Sequence, residues 1–79
     1  MVFKTPEEEE ALRKVSDAAV ELVRGKASED LLAWYAYDAS EWHCSTSAIA
    51  TAIGCSYQRA ARLIGRGRIV QALEEDASE

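Results

Sequence analysis

Residues 45–64 read STSAIATAIGCSYQRAARLI and carry the spacing of two helices that meet at a tight turn. Numbered from Thr46, the small residue Ala50 is fifth and Gly54 is ninth. Places four, eight, ten, fifteen and eighteen hold Ile49, Ile53, Cys55, Ala60 and Leu63. Ala50 leaves room for a second helix to cross above it, and Gly54 can adopt the positive φ of a sharp turn. The spacing is typical of a DNA-binding helix-turn-helix.

The second helix of this pair is predicted over residues 56–65, with Ser56 as its N-cap. Its outer face carries Tyr57, Gln58, Arg59, Ala61 and Arg62. A recognition helix presents its N-terminal residues to the major groove, where arginine pairs with guanine and glutamine with adenine through two hydrogen bonds. The alternative is a helical hairpin that has no role on DNA.

The distribution of charge bears on the same question. The net charge is −5, and residues 1–41 hold ten acids and five bases. Residues 42–73 contain no acid and carry four arginines: Arg59, Arg62, Arg66 and Arg68. A basic block inside an acidic chain is a local electrostatic footprint for phosphates. The alternative is a solvated helix face on which the arginines cluster by chance.

The whole chain of 79 residues is short enough to be one domain. Apolar residues make up 48% of it, which indicates a folded protein. No apolar run approaches the roughly 18 residues that cross a bilayer, and the acidic N-terminus does not resemble a signal peptide. Two cysteines are too few for a disulfide framework. These features predict a cytoplasmic protein without a membrane partner.

Two further helices are predicted before the helix-turn-helix. Thr5 as N-cap, Pro6 at the first position and the following glutamates begin a helix over residues 6–24, which Gly25 ends. Its apolar stripe runs from Leu12 to Val23. Ser28 caps the second helix, whose aromatic residues are Trp34, Tyr35, Tyr37 and Trp42. These aromatics either line the core or face a second protomer, and together with the stripe they predict a homodimer through the first two helices.

The C-terminal part of the chain contains two glycines that disfavour a helix, Gly65 and Gly67. We therefore expect the recognition helix to end near Gly65, with Arg66 and Arg68 on a flexible loop that binds phosphates. Residues 69–73 form either a last short helix or a strand, of which we favour the helix, and residues 74–79 form an acidic tail. The expected fold is an all-α bundle, with residues 28–73 as its helix-turn-helix core and the N-terminal helix added to it.

The stretch STSAIATAIGCSYQRAARLI resembles the helix-turn-helix of the winged-helix γ domain of FtsK-type DNA translocases. Residues 57–64, YQRAARLI, look like the recognition helix of that family, and Leu31 to Tyr35 stand where the family has its first helix. The resemblance implies that Arg59 and Arg62 read a short DNA sequence, with Gln58 at a position where the family usually has asparagine. Only nine residues follow Val70, so we expect the wing to be absent or rudimentary.

The residues that most often carry chemistry are sparse and poorly spaced for it. His43 and Cys44 are adjacent, and with Cys55 they would supply three zinc ligands at most, without a C-x-x-C pair. We therefore expect no metal, no cofactor and no enzymatic activity. The sequence predicts a sequence-specific binder of double-stranded DNA, such as a small transcriptional regulator of a bacterium, plasmid or phage. The alternative is a protein-interaction module that binds its partner through residues 6–42.

Overall fold

The computed structural model describes residues 6–77, which form four α-helices. They are α1 (Pro6–Val23), α2 (Glu29–Glu41), α3 (Thr46–Ile53) and α4 (Tyr57–Ala77). Within these residues there is no strand, and hence no wing. The predicted all-α bundle is therefore confirmed.

Local signals in the sequence set most of the helix ends. The hydroxyl oxygen of Ser28 accepts a hydrogen bond from the amide of Leu31 at 3.1 Å, which makes Ser28 the N-cap of α2. Gly25 follows α1 with a φ of 75°, as expected of a residue that closes a helix in the left-handed conformation. The predicted cap at Thr5 lies outside the described residues.

The core is built from small side chains, so the helices pack closely. α2 packs against each of the other three helices, and α3 packs against both α1 and α4. The largest side chains with almost no exposed surface are Val15, Leu32 and Ile49, one from each of the first three helices. The other buried apolar residues are Ala11, Ala18, Ala33, Ala36, Ala39, Ala50, Ala60 and Leu63. Alanine at the contact points allows the helix axes to approach, which makes each crossing sensitive to side-chain size.

The apolar stripe of α1 faces the core of its own chain. Val15 and Ala18 are buried, and Leu12 and Leu22 pack against the core. Apolar surface remains toward the C-terminal end of α1, where Val20 is 46% and Val23 88% exposed. The aromatic residues of α2 are partly buried, with Trp42 beyond its end 48% exposed. The stripe predicted as dimer surface is thus largely used in folding, and the homodimer itself stays a prediction.

The end predicted for the recognition helix near Gly65 is wrong. α4 runs on through both glycines to Ala77, so Arg66 and Arg68 lie on a helix rather than on a loop. Gly67 is buried against α2, where an added Cβ would overlap the carbonyl oxygen of Ala33 and lie 2.7 Å from the Cβ of Tyr37. The glycine therefore marks a close crossing of two helices. The predicted helix at residues 69–73 is real but belongs to α4, and so do the first residues of the predicted acidic tail.

Candidate nucleic-acid interface

The turn between α3 and α4 has the geometry that the sequence predicts. Gly54 has a φ of 83°, in the left-handed region that favours glycine. Its amide donates a hydrogen bond of 2.8 Å to the carbonyl oxygen of Ala50, and the amide of Cys55 donates one of 3.0 Å to the same oxygen. Ser56 then caps α4, since its hydroxyl oxygen accepts from the amide of Arg59 at 3.2 Å. Three residues therefore reverse the chain between the two helices.

The side chains expected inside the angle between α3 and α4 are buried or partly buried. Ile49, Ala60 and Leu63 are buried, and Ile53 and Cys55 are partly buried against the core. Ala50 is 6% exposed, as expected for a small residue beneath a helix crossing. These contacts fix the angle at which α4 leaves the turn, and hence the face that it presents to solvent.

The first two turns of α4 present that outer face. The five residues predicted on it, Tyr57, Gln58, Arg59, Ala61 and Arg62, are exposed, and so is the N-cap Ser56. Ser56 has a structural role as N-cap, and its position at the positive end of the helix dipole also suits a phosphate. The face combines an amide, two guanidinium groups and an aromatic ring.

Two of the four arginines have acidic neighbours from α2, which the order of the sequence did not reveal. The guanidinium of Arg59 lies 3.7 Å from a carboxylate oxygen of Glu29. Arg66 donates a hydrogen bond of 2.8 Å to Asp30, which raises the pKa of the guanidinium above its ordinary value. Glu29 and Asp30 are 30 or more residues away along the chain but begin the helix beside α4. Both pairs are exposed, so each stabilises the fold only weakly.

The other two arginines are differently placed. Neither Arg62 nor Arg68 forms an ion pair within residues 6–77. Arg62 lies next to Arg59 and Arg66 at a shallow cleft of about 280 Å³ whose only acidic lining residue is Glu29. Arg62 is therefore the guanidinium of this face whose charge is least offset by the protein.

A second surface feature lies between α2 and the C-terminal half of α4. It is an open groove of about 450 Å³ lined by the apolar residues Leu31 and Val70 and the aromatic residues Trp34 and Tyr35. The indole N–H of Trp34 donates a hydrogen bond of 2.8 Å to Glu74, which helps to hold α4 against α2. Together with Asp30, this glutamate gives the groove an acidic edge. The sequence had indicated the aromatic residues but not their position against α4.

The residues considered for metal chemistry are not brought together. His43, with a φ of 68°, is exposed in the turn between α2 and α3. The thiol of Cys44 lies 3.7 Å from the carbonyl oxygen of Glu8. The thiol of Cys55 lies 3.4 Å from the carbonyl oxygen of Ser56. Within residues 6–77, no group of three or more histidine, cysteine, aspartate or glutamate side chains is arranged to hold a metal ion.

Comparison with protein-family models, curated proteins and solved structures finds no match for this chain. The resemblance of residues 57–64 to the FtsK γ domain therefore stays a prediction. None of the helices within residues 6–77 combines the length and the apolar character that crossing a bilayer requires. The function is accordingly inferred from the residues of the chain itself.

Proposed function

We propose that this protein binds double-stranded DNA sequence-specifically, with the first two turns of α4 in the major groove. The observation that carries the proposal is the tight turn at Gly54, which leaves Gln58, Arg59 and Arg62 exposed on the N-terminal part of the second helix. In helix-turn-helix proteins this is the part of the recognition helix that contacts base edges. Gln58 and Arg59 are the proposed base readers, and Arg66 and Arg68 the proposed phosphate contacts.

The biological role that follows is that of a small cytoplasmic transcriptional regulator from a bacterium, plasmid or phage. Two sequence observations support it: the resemblance to the FtsK γ domain and the absence of acids between residues 42 and 73. For Arg66 to contact a phosphate, its guanidinium must leave Asp30 and bind the phosphate instead. That exchange is inexpensive, because exposed ion pairs of this kind are worth about 0.2–1 kcal/mol.

The proposal is tested by selecting bound duplexes from a random-sequence DNA pool and measuring their retardation in a gel. An enriched motif, bound more tightly than the starting pool, supports sequence-specific reading. Because phosphate contacts strengthen as salt falls, the measurement begins at low ionic strength. Failure to retard any duplex at low salt contradicts the proposal.

A second candidate function is that of a protein-interaction module. The observation that favours it is the groove between α2 and α4, where exposed Leu31 and partly buried Trp34 and Tyr35 adjoin acidic side chains. The net charge of −5 suits a basic partner. This function predicts that substitutions such as Leu31→Ser abolish the biological activity while Arg59→Ala leaves it intact, and DNA reading predicts the reverse.

A further inference from the structure

The outer side of α4 carries an apolar stripe that no other part of residues 6–77 covers. Ile69 and Leu73 lie one helical turn apart and are 61% and 63% exposed. Gly65 lies one turn before Ile69, and Arg62 and Asp76 flank the row at its two ends. We call these five exposed residues the α4 stripe.

No packing contact within residues 6–77 requires a glycine at position 65. A Cβ added to it would meet no atom within 4 Å, whereas one added to the nearby Gly67 would overlap α2. A glycine inside a helix lowers the stability of that helix relative to alanine. Contact with a second molecule over Gly65 would account for it, because the missing side chain leaves a depression between Arg62 and Ile69.

The α4 stripe is complementary to itself when its direction is reversed. Two antiparallel copies of α4 that cross at Ile69 bring this residue opposite its own copy. Gly65 then faces Leu73 of the partner, since both lie four residues from Ile69. Arg62 faces Asp76 of the partner, since both lie seven residues away. Neither of these two charged residues forms an ion pair within residues 6–77 of its own chain.

We propose that the chain forms an antiparallel homodimer through the α4 stripe. Leu73 of each copy packs over Gly65 of the other, the two Ile69 side chains meet at the two-fold axis, and two Arg62–Asp76 pairs close the ends. This surface differs from the one predicted on α1 and α2. The stripe has only two large apolar side chains, Ile69 and Leu73, so we expect an interface below the ~1,200 Å² of stable complexes and therefore a weak dimer.

The inference does not rest on DNA binding. In the pairing, Asp76 of the partner lies opposite Arg62, so Tyr57, Gln58 and Arg59 lie beyond the paired part of the α4 stripe. Of the proposed DNA contacts, Arg62 lies on the α4 stripe and Arg66, four residues after it, lies beside the stripe. Self-association is therefore measured without DNA, and its failure leaves the proposed function standing.

The test is sedimentation equilibrium of the full chain from about 10 µM to 1 mM, the range in which weak complexes form. The wild-type mass should rise from monomer towards dimer. Arg62→Asp and Asp76→Arg should each remain monomeric, because each substitution places like charges opposite one another. An equimolar mixture of the two variants should recover the dimer mass, since both end pairs are then of opposite charge. Arg13→Asp makes the same change on α1, away from the stripe, and should associate like the wild type.

A second variant tests the depression at Gly65. Gly65→Leu meets open space within the monomer and should retain the helical circular dichroism of the wild type, while losing the dimer because it blocks the partner's Leu73. A wild-type chain that stays monomeric to 1 mM overturns the proposal. So does a mixture of the two charge variants that associates no better than either variant alone.

Discussion

Gly65 and Gly67 lie two residues apart in α4, and packing among residues 6–77 requires a glycine only at position 67. The crossing of α4 over Ala33 leaves no room for a Cβ at Gly67. Gly67→Ala should therefore lower the free energy of unfolding by about 1–3 kcal/mol, as expected for overpacking. Gly65→Ala is the matched control, and it should raise the stability by roughly 0.5–1 kcal/mol because alanine favours the helix. Denaturant unfolding at low micromolar concentration measures both, and equal effects would contradict the close crossing.

Because of Tyr37, we expect the free energy of unfolding to depend on pH in the alkaline range. Its hydroxyl donates a hydrogen bond to Glu41, which, with burial and the charge of the same glutamate, raises the pKa of the phenol above its ordinary value of 10.0. The folded state thus holds the phenolic proton more tightly than the unfolded state. This contribution to stability is fully present below about pH 10 and is lost as the pH rises through the folded pKa.

The expected result is a fall in the denaturant midpoint above about pH 10 that is steeper for the wild type than for Tyr37→Phe. Glu41→Gln should flatten the curve as well, because it removes the charge that disfavours the phenolate. Parallel curves for the three proteins would show that this hydrogen bond does not stabilise the fold.

At the scale of the elements, the reversal between α3 and α4 depends on one backbone conformation. An added Cβ at Gly54 would meet no atom within 4 Å, so the cost of a side chain there arises from the φ of 83°. Gly54→Val should lower the free energy of unfolding by about 1–3 kcal/mol. Gly54→Asn should cost clearly less, because asparagine tolerates the left-handed region. Equal melting temperatures for the two variants would mean that the turn does not require a positive φ.

The helix ends that the sequence predicted are those set by neighbours along the chain. Ser28 and Ser56 cap their helices through residues three positions away, and Gly25 and Gly54 act through their own φ. The length of α4 was missed because the sequence treats Gly67 as a signal that disfavours a helix. In the structure this glycine lies inside the helix and allows close contact with Ala33, more than 30 residues away. The pairing of Arg59 with Glu29 was missed for the same reason. Helix ends set by nearby residues could thus be predicted from the sequence, whereas contacts between residues of different helices could not.

At the scale of the whole molecule, acidic side chains from α2 moderate the basic face of α4. Removing the carboxylate beside Arg59 should strengthen the proposed DNA binding, because it frees the guanidinium and reduces repulsion of the phosphates. Glu29→Gln is expected to gain about 0.2–1 kcal/mol in binding free energy. Glu9→Gln makes the same change in charge on α1 and should have a smaller effect. Fluorescence anisotropy with a labelled duplex compares the two, and equal gains would indicate an effect of net charge alone.

The proposal that α4 reads bases is tested most directly by Arg59→Ala, measured on the selected DNA site and on a random duplex. If Arg59 contacts a base, the variant should lose about 1–3 kcal/mol on the selected site, and the ratio of specific to random affinity should fall. Arg68→Ala, which removes a proposed phosphate contact, should weaken both duplexes alike and preserve that ratio. An Arg59→Ala variant with an unchanged ratio would contradict the assignment of α4 as a recognition helix.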